Sequence, residues 1–205
     1  MRLRWTGNTA DHMATLGMIL RTNGLPKLER IDLSSNGFGD AGMLALCEGL
    51  GRGAAPSLHG LGLCYIHFGP AGAEALAAAL RRGVMPKLKV LGLGLNPIGN
   101  QGVAALAAPL RTMPALETLF LHRCEIGDEG VASLVANLGK DDFKKLERLY
   151  LEGNAITDVG MKRLAAVIEV GGLPTLKWKD HDLDGNPVTE VAIKAVQDAL
   201  RKRLQ

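Results

Sequence analysis

Two hydrophobic rhythms alternate along this chain. The shorter one places an apolar residue, then two more that flank a single variable position, then a ladder residue three places further on. It is written five times: Leu28, Ile31, Leu33 and Asn36; Leu58, Leu61, Leu63 and Ile66; Leu88, Leu91, Leu93 and Asn96; Leu116, Leu119, Leu121 and Cys124; Leu146, Leu149, Leu151 and Asn154. Alternation of period two predicts a short strand whose flanking pair points inward while the residue between them faces out. The second rhythm advances by three and then four: Met43, Leu46 and Leu50; Ala73, Leu76 and Leu80; Val103, Leu106 and Leu110; Val131, Leu134 and Leu138; Met161, Leu164 and Ile168. That spacing predicts one helix per unit, with an apolar face that covers the strand. Ladder positions 36, 66, 96, 124 and 154 recur every 30 residues, with one interval of 28.

Punctuation supports the same unit. Asp40, Asn100, Asp128 and Asp158 stand where a helix N-cap is wanted, with Pro70 in that slot of the second unit. Two residues on, Gly42, Gly72, Gly102, Gly130 and Gly160 predict a helix too close to its preceding loop to admit a side chain. Pro26, Pro56, Pro86, Pro114 and Pro174 are expected to stop each helix, Lys144 taking that place in the fifth unit. A buried Asn at the ladder position can satisfy loop backbone that has left the sheet. Ile66 cannot, so the second unit is expected to have the least regular loop.

The chain therefore reads as one elongated domain, 1–205. A partial first repeat spans 1–24, full repeats span 25–54, 55–84, 85–112, 113–142 and 143–172, and a divergent capping repeat spans 173–205. The repeated phrase, with its ladder of Asn36, Ile66, Asn96, Cys124 and Asn154, resembles the ribonuclease-inhibitor-like subfamily of leucine-rich repeats, Ile66 being out of pattern. The resemblance implies an α/β solenoid, a horseshoe with a parallel β-sheet on its concave face and α-helices on its convex face. It also implies relatives used in protein recognition: ribonuclease inhibitors, sensor domains of NOD-like receptors and Ran GTPase-activating proteins.

Composition narrows the remaining classes. Apolar residues make up 47% of the chain but aromatics only 4%, so Leu, Ala and Gly must do the packing. A net charge of +3 without a basic block among the repeats argues against nucleic acid or a membrane surface as partner. No apolar run approaches the roughly 20 residues of a membrane helix. Three cysteines without a paired framework favour a reducing, cytoplasmic setting. No cofactor is expected. Asp180, Asp182, Asp184 and Gly185 copy half of a calcium loop, but Val191 stands where its bidentate Glu belongs, and charge that blunts a sheet edge accounts for the same residues. Cys64 and His122 fall two repeats apart, too far for a nucleophile and its base.

Outward-facing positions carry the candidate chemistry. Phe120, His122, Arg123, Arg148, Tyr150 and Glu152 form an aromatic and charged cluster across two adjacent repeats, with Tyr65, Leu95 and Asp182 on the same wall. Exposed aromatics beside Arg are typical anchors of protein interfaces. Phe120 and Tyr150 could equally stack on one another to stabilise the sheet. Gly60, Gly62, Gly92 and Gly94 beside them predict a shallow strip almost free of side chains. The expected function is a non-enzymatic, monomeric module that binds another protein through the concave face. Alternatives are a GTPase-activating regulator resembling the Ran activators, or a structural or sensor fragment of a larger NOD-like-receptor-type protein. Assignment of Leu93 and Leu121 to the interior predicts that either one, replaced by Ala, loses about 2–5 kcal/mol in urea unfolding; wild-type midpoints for both would refute the strand register.

Overall fold

The computed structural model describes residues 7–51, 53–139, 141–178 and 183–203. Five strands, β1 (Arg30–Asp32), β2 (Gly60–Gly62), β3 (Val90–Gly92), β4 (Thr118–Phe120) and β5 (Arg148–Tyr150), lie parallel in chain order. Their register follows the repeat, Ile31 pairing with Leu61, Leu61 with Leu91, Leu91 with Leu119 and Leu119 with Leu149. Hydrogen bonding continues past the strand ends, where Leu33 N–H donates to the Gly62 carbonyl and Ser35 N–H to that of Cys64. Both steps recur at the next three seams. Among the described residues seven helices, α1 (Ala10–Thr22), α2 (Gly39–Gly49), α3 (Pro70–Arg81), α4 (Gly99–Arg111), α5 (Asp128–Val135), α6 (Asp158–Glu169) and α7 (Glu190–Arg203), form the other layer. Between the layers lie the inward strand leucines and the helix positions 43, 46 and 50 with their equivalents, an α/β solenoid with one continuous core.

Two helix ends differ from expectation. Leu138 falls outside α5, which stops at Val135 because Arg111 donates to the Ser133 and Leu134 carbonyls that a further turn would need. The prolines do not stop helices directly, since each helix has ended several residues before. Pro26, Pro56, Pro86 and Pro174 occupy the second position of a turn in which Leu28 N–H donates to Leu25 O, Leu58 to Ala55, Leu88 to Met85 and Leu176 to Leu173. Pro suits that position because its fixed φ matches the turn. Lys144 takes the same place in the Phe143–Leu146 turn, so the turn does not depend on Pro.

The acidic residues assigned as N-caps do cap helices, but the wrong ones. Asp40 and Asn100 lie inside the first turns of α2 and α4, while Asp128 and Asp158 are the first residues of α5 and α6. Each reaches forward to the following repeat. Asp40 Oδ1 accepts from Gly69 and Gly72, Asn100 Oδ1 from Gly127 and Gly130, and Asp128 Oδ1 from Thr157 and Gly160. Asp158 takes the N–H and hydroxyl of Thr189 in the same way. The invariant glycine is needed for this contact: a Cβ on Gly160 would stand 2.5 Å from Asp128 Oδ1, and one on Gly72 would stand 2.7 Å from Asp40 Oδ1.

The Asn ladder reaches the other way. Asn96 donates to the Leu63 carbonyl of the preceding repeat and accepts from Ile66 N–H. Asn154 donates to Leu121 and accepts from both Cys124 and Ile126, and Asn186 donates to Leu151 and accepts from Ile156. Ile66 itself is buried, its N–H satisfied by the next repeat, and its loop is not uniquely irregular. Tyr65 and His67 flank it with positive φ, and Arg123 and Glu125 flank Cys124 likewise. Those are the two repeats without a ladder Asn.

The forward caps tie stability to pH. Burial acts to raise the Asp128 pKa, but hydrogen bonds from the Thr157 hydroxyl and N–H and from Gly160 N–H, with the Arg163 charge, outweigh it and hold the carboxyl below its usual range. The Thr189 N–H and hydroxyl depress that of Asp158. Groups with depressed folded pKa values stabilise the fold above the unfolded value, about 3.9 for Asp, and that contribution is lost as pH falls through the folded value. The urea midpoint is therefore expected to hold down to about pH 5 and to drop below about pH 4. Replacing both Asp128 and Asp158 with Asn should shrink that drop, and an undiminished drop would show that other carboxylates cause it.

Candidate protein-interaction site

The outward residues of β4 and β5 meet because the register places Phe120 opposite Tyr150. Their rings stack 4.5 Å apart and 3° from parallel, each remaining half-buried. His122 lies edge-on to Phe120 at 6.2 Å, and its ring covers Gly94, where a Cβ would stand 2.2 Å from Cε1. Burial of the ring, partly opposed by Glu152 and reinforced by Arg123, holds the His122 pKa below the usual histidine value. The imidazole is therefore neutral at pH 7. His122 Nδ1 and Glu152 Oε2 are both buried without a hydrogen-bonding partner among the described residues.

Two arginines frame the stack. Arg148 is exposed on the strand-entry side, one position before the inward Leu149, and Arg123 is exposed on the loop side. Arg123 has a positive φ of 51°, and its stem runs over Gly153, where a Cβ would meet Cγ at 2.7 Å. Neither arginine takes part in an ion pair among the described residues. Glu147, next to Arg148 in the chain, is instead engaged by Lys177 at 2.9 Å.

Sequence-predicted residues outside this cluster divide. Leu95 borders it, with its N–H donating to the His122 carbonyl at 2.8 Å, whereas Tyr65 stands one repeat further off, edge-on to His67 at 4.8 Å. Tyr65 and Leu95 keep 44% and 38% of their surface exposed despite left-handed backbone, φ 53° and 61°. Such a conformation is costly for any side chain larger than Gly. Asp182 lies outside the described residues, as do Asp180 and residues 1–6.

The bare strip expected from Gly60, Gly62, Gly92 and Gly94 is not bare. Neighbouring side chains lean into it: Arg30 over Gly60, Asp32 and Ser34 over Gly62, Cys64 over Gly92 and His122 over Gly94. Each glycine makes room for a larger residue one repeat away, and Gly153 does so for Arg123. These seating glycines escaped the sequence reading, although a glycine in the outward column beside a bulky neighbour was the available signal. Burial pushes the thiols of Cys47 and Cys124 up to about 12, which leaves neither as a nucleophile at neutral pH.

A family model described as Leucine Rich repeat matches residues 24–47, 84–107, 113–135 and 144–165. The chain is a leucine-rich-repeat protein. The full repeat that the model passes over is the second, which carries Ile66 at the ladder. Repeat solenoids of this kind present extended surfaces that other proteins can bind. No curated protein matches the chain by sequence. Among 72 matching solved chains is one from "Crystal structure of Rad7 and Elc1 complex in yeast". It is 13% identical with a TM-score of 0.44, the match covering 94% of this chain and 58% of that one. This leucine-rich-repeat chain thus spans a little over half the length of that relative. No helix among its described residues is long and apolar enough to cross a membrane.

Seating of His122 by Gly94 is open to a direct test. In Gly94→Ala the added methyl must displace the ring toward water, removing the burial that depresses its pKa. NMR titration of His122 should then show the pKa raised toward the ordinary histidine value. An unchanged titration would mean that the ring does not rest on Gly94.

Proposed function

We propose that the chain binds a partner protein through the outward face of β4 and β5, centred on Phe120 and Tyr150, and that it acts without catalysis. The observation that carries this reading is the half-exposed aromatic stack framed by two exposed arginines that take part in no ion pair among the described residues. Stacking contributes to the sheet by about 0.5–1.5 kcal/mol and so accounts for part of the arrangement. It gives no reason for two cations beside the rings. Large, rigid aromatics next to Arg supply contact area at low entropic cost, and such residues dominate binding energy when a partner covers them. Leu95, and beyond it Tyr65, extend the face toward the N-terminal repeats. The fold imposes a left-handed backbone at this position in all five repeats, and Gly153 in the fifth shows that it does not require a large side chain there.

The triple substitution of Phe120, Arg123 and Tyr150 by Ala tests the proposal. It should abolish capture of partners identified by cross-linking and mass spectrometry with the unsubstituted protein. The cooperative unfolding transition should survive with a loss of no more than about 2 kcal/mol, the stack being the main contact removed. Undiminished capture would place the binding surface elsewhere.

A further inference from the structure

We propose that the partner of this face is an acidic segment of another protein, with an apolar side chain seated on the Phe120–Tyr150 stack and carboxylates to either side on Arg123 and Arg148. The inference rests on the reading of this face as the interaction surface and adds the chemistry of what it takes. It follows from how charge is distributed around the rings. Arg123 and Arg148 lie on opposite sides of the stack, one beyond the inward pair on the loop side and one at strand entry, both exposed and neither in an ion pair among the described residues.

The carboxylates near the rings divide between engaged and exposed. Glu147 is held by Lys177 at 2.9 Å, and Glu152 has Oε2 buried, its charge felt by His122. Glu125 is exposed in the loop after Cys124, and Asp184 one repeat on. Among the described residues the rings are thus flanked by two exposed arginines, with apolar ring surface between them. Neutral His122 adds no charge at pH 7. Arg123 is also set in place before any partner arrives, because its stem runs along the channel left by Gly153. A preorganised guanidinium loses less freedom on binding a carboxylate than a free one. A basic segment would face two unpaired like charges here, which is the arrangement that rejects partners.

Selection of a displayed library of random twelve-residue peptides against the whole chain, counter-selected on the Phe120→Ala/Tyr150→Ala variant, tests both levels. Peptides retained by the unsubstituted chain and lost by the variant should carry net negative charge around a central apolar residue. Synthetic versions should bind roughly tenfold more weakly to Arg123→Glu and to Arg148→Glu, and should weaken as salt rises from about 50 to 500 mM. Retained peptides that are neutral or basic would overturn the acidic assignment and leave the interaction face standing. Enriched peptides that bind the aromatic variant equally well, or no enrichment at all, would overturn the face itself. Thermal unfolding of each Arg→Glu variant, expected within a few degrees of the unsubstituted chain because both residues are exposed, separates lost binding from lost folding.

Discussion

No repeat in this chain satisfies its own backbone. Each unit turns out of the sheet in a loop whose N–H and C=O groups have left the ladder, and buried groups of that kind cost about 1–3 kcal/mol each when unpaired. Side chains of the neighbours supply the missing partners. Asn96, Asn154 and Asn186 reach back to the loop before them, and Asp40, Asn100, Asp128 and Asp158 reach forward to the helix start after them. Arginines close helix ends similarly, Arg82 donating to Cys47 and Leu50 and Arg111 to the end of α5. Stability of the solenoid is therefore a property of seams rather than of units.

The candidate site sits on a seam laced in both directions. Between the fourth and fifth repeats Asp128 accepts from Thr157 N–H, the Thr157 hydroxyl and Gly160 N–H, while Asn154 bonds Cys124, Ile126 and Leu121 in return. Phe120 and Tyr150 come from the strands directly above this network. Their relative position is fixed by the scaffold, and the surface they present requires little ordering when it is covered.

Much of this was legible in the chain. The inward leucines, the helix faces and the ladder are dictated by periodicity, and the structure places Leu33, Leu63, Leu93, Leu121 and Leu151 in the interior. The cluster of Phe120, His122, Tyr150 and Glu152 was legible too, because outward columns follow from the same register. What periodicity could not convey was the direction in which polar side chains reach. Asp128 in sequence looks like a cap for the helix it starts, and only the stacking of repeats shows it serving the next one. Glycines were ambiguous for the same reason: Gly94 and Gly153 read as gaps until the neighbour that fills each gap is in place.

The second repeat breaks both patterns, with Pro70 where the forward cap belongs and Ile66 at the ladder. Pro70 offers no side-chain acceptor, so α4 starts without the carboxylate or amide that the helices after it receive. Between the second and third repeats the backward reach of Asn96 remains, joined on the helical side by Arg81 donating to the Ala105 carbonyl and Gln101 to Glu74. Polar lacing along the solenoid is consequently uneven in kind. A partner long enough to span from Tyr150 to Tyr65 would cross from a seam tied by both reaches to one that has lost its forward cap.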